Sequence, residues 1–226
     1  MLDLPERLID VLFLCEVAVM TNYEEFTKIV NENIKRDGIS EFMNYLENES
    51  DFFTSPASTK YHGSYHGGLV DHSINVYYSL IDVLNFFFGK DWQKRYSLES
   101  ATIVSLFHDV CKIGRYKTEM RNVKDKETGI WIEKECFVYD DSYFSMGHGA
   151  LSLHRIQKYM KLTDDEAQAI YWHMGAYDIS QYSDTQNQCR AFSRNTLSFA
   201  LHFADMIATH ICENPDFKPV PIEPQQ

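Results

Sequence analysis

Paired cysteines, basic runs and long apolar stretches are all missing from this chain of 226 residues. Its five cysteines, at positions 15, 111, 136, 189 and 212, include no Cys-x-x-Cys pair, which argues against both a disulfide framework and a zinc ribbon. Free thiols in a reducing cytoplasm are therefore expected. The most signal-like segment, residues 8–20, carries Asp10 and Glu16 and is too short to cross a bilayer, so it is interpreted as an amphipathic helix of a soluble protein.

Positive charge is also scarce. The chain has 21 Lys and Arg residues against 33 Asp and Glu residues, for a net charge of −12. This balance disfavours a protein that holds long nucleic acid on a broad basic surface. A small phosphorylated substrate stays compatible with it, because a bound metal ion can supply local positive charge.

Most of the chain has helical periodicity, and the 44% hydrophobic content is enough for the core of one domain. Helices are predicted at 5–20, 22–36, 39–49, 68–88, 97–111, 148–160, 163–174 and about 190–212. Thr21 or Asn22 is expected to cap the second helix, and Thr163 with Glu166 resembles a capping box. Gly89 is expected to end the long helix at 68–88.

Residues 115–139 have a different pattern. Alternating segments flank a charged stretch that ends in Gly129, which is typical of a β-hairpin. The predicted fold class is therefore all-α, a helical bundle with a small inserted hairpin. Residues 1–50 are interpreted as a helical extension packed on the core, residues 51–213 as the main domain, and residues 214–226, with four prolines, as a loose tail.

Several ionisable residues lie on apolar helical faces. His108 and Asp109 follow the apolar run 103–107, and His72 lies in one stripe with Leu69 and Val76. His173 and Asp205 have comparable settings. One such residue would more often be a hydrogen-bonded core side chain. Several together favour a metal centre, because buried carboxylates and imidazoles need compensation. By pattern alone, His148 could simply begin a helix.

These residues resemble the HD superfamily of metal-dependent phosphohydrolases over roughly residues 52–210. The matching segments are PASTKYHGSYHGGLVDHS at 56–73, LFHDVCKIG at 106–114 and FADMI at 203–207. The first segment is especially similar to HD domains of bacterial exoribonucleases that trim RNA from its 3′ end. The resemblance implies an HD-domain helical bundle.

The resemblance also implies a ligand set. Four of these residues would form the core site, His148 and His173 would add a second position, and Asp109 would bridge two ions. The expected ligands are His72, His108, Asp109, His148, His173 and Asp205. Imidazole and carboxylate donors suit two divalent transition ions from among Mn, Fe, Zn, Ni and Co.

On the substrate side, Lys112 follows Asp109 by three residues and is a candidate catalytic and phosphate-binding cation; a solvated lysine is the alternative. By resemblance, His62 contacts the substrate or donates a proton, and a loop histidine bonded to backbone is the alternative. Asp109 is expected to orient the attacking water. Further candidate substrate contacts are Tyr65, Arg115 and Tyr177.

The predicted function is hydrolysis of a phosphoester in a nucleotide or similar small substrate by metal-activated water. Three alternatives stay open: a 3′–5′ exonuclease acting on RNA or DNA, an HD-fold diiron oxygenase, and a nucleotide-binding module. Long nucleic acid is the less favoured partner, because only about 50 acidic, helix-like residues precede the region of resemblance. No membrane partner is expected, and the oligomeric state is open.

Overall fold

The computed structural model describes residues 20–125, 128–144, 146–178 and 182–217. The predicted helix at 5–20, except for its last residue, and the tail beyond residue 217 lie outside these ranges. The described helices are α1 Asn22–Asn33, α2 Ile39–Asn48, α3 Gly68–Phe88, α4 Leu98–Phe107, α5 His148–Ile156, α6 Asp164–Trp172, α7 Tyr182–Arg194 and α8 Thr196–Ile207. None of them is long and apolar enough to cross a membrane.

The strands β1 (Tyr116–Lys124) and β2 (Trp131–Tyr139) form one antiparallel hairpin, in which Tyr116 pairs with Tyr139 and Lys124 with Trp131. The predicted hairpin and the mostly helical fold class are thus confirmed. Only the base of the hairpin reaches the interior, where Val138 is buried, and the ring of Trp131 at the far end is exposed.

The core is rich in aromatic rings around the end of α4. Phe107 is fully buried, with its ring centroid 5.0 Å from that of Phe42 and 6.0 Å from that of Phe26. Phe26 lies on α1, where Thr21 and Glu24 form the capping box that starts the helix. Burying three such rings in contact holds the last turn of α4 against α1 and α2. The two residues that follow Phe107 are therefore anchored.

Arg36 ties the segment between α1 and α2 to the rest of the bundle. Its Nη1 forms a short contact with Glu166 Oε2, and its Nη2 lies 2.9 Å from Glu166 Oε1 and 3.1 Å from Glu99 Oε2. The Glu166 side chain is fully buried, and it also completes the predicted capping box with Thr163 at the start of α6. One carboxylate thus joins the N-terminal helices to α6.

Several predicted helices end earlier than their patterns suggest. α4 stops at Phe107, and Val110–Lys112 forms a separate 3-10 turn, in which the Lys112 N–H donates to the Asp109 carbonyl and further backbone groups bond to side chains of α5. The Cys111 N–H donates to Ser152 Oγ at 3.1 Å, and Arg155 donates to the carbonyls of Val110 and Ile113 at 2.6 and 2.8 Å.

The predicted helix at 190–212 is interrupted at Asn195, whose side chain accepts from the Leu197 N–H and so starts α8. A π-turn, Ala208–Cys212, follows α8. The prediction also placed the start of this segment at about residue 190, whereas α7 begins at Tyr182. Further differences of two to four residues lie at Asn33, Ile156 and Trp172, where the predictions extended each helix.

Candidate metal centre

The ends of four helices bring the predicted ligands together. His72 lies in the first turns of α3, His108 and His173 directly follow α4 and α6, and Asp205 lies in the last turn of α8. α3 packs against α4 and α8, and α6 packs against α4 and α8. His108 and His173 are fully buried, and His72 and Asp109 are 1% and 2% exposed. The structure thus places these five side chains in one interior cluster.

Asp109 lies at the centre of the cluster, and its two carboxylate oxygens face different histidines. Oδ2 is 3.7 Å from His72 Nε2 and 3.5 Å from His108 Nε2. Oδ1 is 3.5 Å from His173 Nε2. Asp205 Oδ1 lies 3.2 Å from His72 Nε2, on the side of the first pair. One carboxylate therefore faces two different groups of imidazoles.

The backbone fixes the tautomers of His108 and His173. The Nδ1 atoms donate to the carbonyls of Ser105 at 2.8 Å and Ile170 at 2.6 Å, and a carbonyl can only accept. The ring protons must therefore be on Nδ1, which leaves the Nε2 lone pairs of the neutral rings bare. Both Nε2 atoms are buried and have no hydrogen-bond partner among the described residues. A metal ligand needs this arrangement.

Glu213 is a member of the site that the sequence prediction missed. Its Oε1 lies 2.9 Å from His72 Nδ1 and accepts from Asn75 Nδ2 at 3.1 Å, and only 8% of its side chain is exposed. The imidazole is oriented by this carboxylate, and its buried Nε2 makes no hydrogen bond despite the nearby Asp205 oxygen. The available signal was weak: Glu213 follows Asp205 by eight residues, about two helical turns.

The pKa values of His72 and His108, the two imidazoles that face Asp109 Oδ2, are shifted in opposite directions. Burial alone lowers the pKa of His72, but the carboxylates of Glu213 and Asp205 outweigh it and raise the pKa to about 10. Burial lowers the pKa of His108 to about 4. Burial opposes ionisation of Asp109, yet Lys112 and the neighbouring histidines hold its pKa well below the usual range. The protein alone thus keeps His108 neutral and His72 protonated, and a metal would have to displace the His72 proton.

Two cations reach the cluster. Lys112 is 6% exposed, and its Nζ lies 2.6 Å from Asp109 Oδ2, so the alternative of a solvated lysine is wrong. Arg115 Nη1 lies 3.0 Å from His148 Nε2, and since a guanidinium can only donate, His148 accepts through this nitrogen. His148 is the first residue of α5, and its backbone N–H donates to Asp178 Oδ2 at 2.9 Å. Of the two histidines predicted for the second metal position, His148 is therefore engaged by Arg115, and His173 is not.

The remaining predicted substrate residues, in order of increasing solvent exposure, are His62, Tyr65 and Tyr177. The His62 ring centroid is 4.9 Å from that of His72, its Nε2 is buried without a partner, and burial lowers its pKa to about 4. Tyr65 is half exposed and donates from its hydroxyl to Asp71 Oδ2 at 2.8 Å. Tyr177 is 74% exposed, so its ring faces solvent.

Buried histidine and aspartate groups of this cluster could hold a metal ion: within each of several sets of three, the candidate donor atoms lie within 4.8 Å of one another. The donor types, imidazole nitrogen and carboxylate oxygen, are those that divalent transition ions prefer. The bare, buried Nε2 atoms also fit a metal better than a hydrogen-bonded core. Comparisons with known protein families, characterised proteins and solved structures find no match for this chain.

Proposed function

We propose that this chain is an HD-type, metal-dependent phosphohydrolase that cleaves small phosphorylated substrates such as nucleotides. One observation carries the proposal. The Nε2 atoms of His72, His108 and His173 surround the buried Asp109 carboxylate without any hydrogen-bond partner among the described residues. A buried polar nitrogen without a partner is costly, and three of them around one carboxylate are explained by a metal ion, which on binding would take the place of the proton on His72.

In the proposed site, one ion is held by His72, His108, Asp109 and Asp205. His173 faces the other oxygen of Asp109 and belongs to a second position, which His148 can join once Arg115 releases it. When bound, such ions lower the pKa of coordinated water and neutralise charge that builds on phosphate oxygens.

The protein's own groups support phosphate chemistry in two ways. Lys112 holds a buried positive charge beside Asp109: burial alone lowers its pKa, but the Asp109 carboxylate outweighs burial, raises the pKa above its ordinary value and keeps the side chain protonated. Arg115 brings a guanidinium next to His148, with planar donors suited to phosphate oxygens. His62 has a free buried nitrogen next to His72 and would hydrogen-bond the substrate.

The charge balance favours small substrates. The chain carries a net charge of −12, and the cations found next to the cluster are few and already paired with site residues. A polymer tracked through many phosphate contacts would need a basic surface. One or two phosphate groups suit this site better.

Metal analysis and a substrate panel test the proposal. Purified protein would be assayed for bound transition metals, then tested on nucleotides, cyclic nucleotides, dinucleotides and short RNAs. His108→Gln should remove most of the metal and the activity, whereas His154→Gln, a matched change on the exposed side of α5, should keep both. Full metal content in His108→Gln would refute the site.

The same panel separates the alternatives. Rapid degradation of long single strands without hydrolysis of any small phosphoester would favour the exonuclease. Metal-loaded protein that hydrolyses nothing in the panel would contradict a hydrolase, and would direct attention to an oxygenase or a nucleotide-binding module.

A further inference from the structure

A sulfur donor lies on the side of Asp109 that faces away from His72 and His108. The Cys111 Sγ is 3.6 Å from Asp109 Oδ1, the same oxygen that lies 3.5 Å from His173 Nε2. Cys111 is fully buried, and so is His173, whose Nε2 has no hydrogen-bond partner among the described residues. A thiol and a bare imidazole nitrogen thus converge on one carboxylate oxygen.

The spacing of these donors suits a metal ion. With bonds of about 2.3 Å to sulfur and 2.0–2.1 Å to nitrogen or oxygen, a tetrahedral ion holds neighbouring donors about 3.3–3.6 Å apart. The distances observed from Asp109 Oδ1, 3.6 Å to Cys111 and 3.5 Å to His173, are close to these values. His148 adds a nitrogen that lies within 4.8 Å of the donor atoms of both Asp109 and Cys111.

The backbone of Cys111 is held in place on both sides. Its N–H donates to Ser152 Oγ at 3.1 Å, and its carbonyl accepts a short hydrogen bond from the Tyr143 hydroxyl. The 3-10 turn Val110–Lys112 therefore presents the thiol to Asp109 in a fixed geometry. A rigidly presented donor is what a metal position requires.

We propose that Cys111 is a thiolate ligand of the second metal position, beside Asp109 Oδ1, and that it directs this position to zinc or another thiophilic ion. The inference rests on the metal-binding part of the proposed function. On binding, the thiol gives up its proton to solvent and the sulfur donates an electron pair to the ion. Soft thiolate ligands favour zinc over magnesium and manganese, which prefer oxygen.

X-ray absorption at the zinc edge tests the proposal on the unmodified protein. Protein loaded with two equivalents of zinc should show a sulfur scatterer at about 2.3 Å in addition to nitrogen and oxygen. The cobalt-loaded protein should show a thiolate-to-cobalt charge-transfer band in the near ultraviolet. Zinc bound only by nitrogen and oxygen would overturn the proposal and leave the metal centre itself intact, whereas no bound metal at all would overturn the proposed function.

Cysteine variants identify which residue provides the sulfur ligand. Cys111→Ser should abolish the charge-transfer band and weaken zinc binding at the second position by at least about tenfold, because even loss of an outer partner costs 10–100-fold. Manganese binding should change much less. Cys136→Ser, in the hairpin, is the matched control and should keep the band. A band that persists in folded Cys111→Ser, with folding checked by circular dichroism, would overturn the assignment.

Discussion

Replacing Arg36 with methionine should destabilise the protein strongly. Methionine keeps much of the length of the side chain, but it removes both contacts with the fully buried Glu166 carboxylate. Glu166 would then be a buried charge without a cation partner, left with hydrogen bonds from the Thr163 N–H and the Ser100 side chain. Breaking a buried pair by removing one partner costs about 3–5 kcal/mol.

That loss can be converted to a change in melting temperature. For a chain of this size, 1 kcal/mol corresponds to about 2–4 °C, so Tm should fall by roughly 6–20 °C. Differential scanning calorimetry at neutral pH, on metal-free protein, measures the shift. Arg190→Met, at an exposed position of α7, removes the same charge and should change the free energy of unfolding by no more than about 0.5 kcal/mol.

The loss of stability in Arg36→Met should also depend on pH. Burial raises the pKa of Glu166, but the hydrogen bonds from Arg36 outweigh it and hold the pKa below its ordinary value of 4.5. In the native protein this contribution to stability is therefore present above pH 4.5 and is lost as the pH falls through the lower folded pKa. In Arg36→Met burial is unopposed, so the pKa rises and protonation relieves the buried charge.

The difference in unfolding free energy between the two proteins should therefore be largest near pH 7 and should shrink toward pH 4. A difference that stays constant across this range, or a Tm loss no larger than that of Arg190→Met, would refute the reasoning. In either case the carboxylate would not be the origin of the effect.

Three further outcomes are expected. Asp109→Asn should abolish metal binding, measured by mass spectrometry, and should cost the metal-free protein about 3 kcal/mol or more, because the buried Lys112 ammonium loses its carboxylate; unchanged stability would argue against this ion pair. Zinc at 100 times its Kd should stabilise the protein by about 2.7 kcal/mol, and a chelator should reverse the gain; a Tm indifferent to zinc would contradict the metal centre. Gly149→Ala should lower both stability and metal content, since its Cβ would lie 2.1 Å from the Tyr171 carbonyl oxygen and push α5 from α6; a normal Tm and metal content would show that the helices can yield.

Local patterns were enough to predict some parts of the structure. Helical periodicity predicted that His72 and Asp205 face the interior, and strand alternation predicted the hairpin. Both patterns depend only on residues that are close in sequence. The partners that complete these features are distant in the chain. Glu213 reaches His72 from 141 residues away, and the backbone beyond α4 is bonded by Arg155 of α5. No periodicity in a single segment carries such information.

Lys112 shows the same limit of sequence-based prediction for a charged side chain. Its spacing from Asp109 predicted proximity, and the ion pair confirms that proximity. Spacing could not predict that both groups are buried, since burial is set by the aromatic packing around Phe107 and by α5. Whether a cation faces solvent or a carboxylate is decided by the tertiary structure.

The bond between His72 and Glu213 also has a consequence for biosynthesis. A ribosome makes His72 long before Glu213, and the two are separated by 141 residues. While the chain is being made, the imidazole lacks the carboxylate that orients it, and Asp205 is likewise still to come. The complete site therefore forms only after nearly all of the described chain has left the ribosome. Metal capture at full affinity becomes a late event, after the helices have assembled.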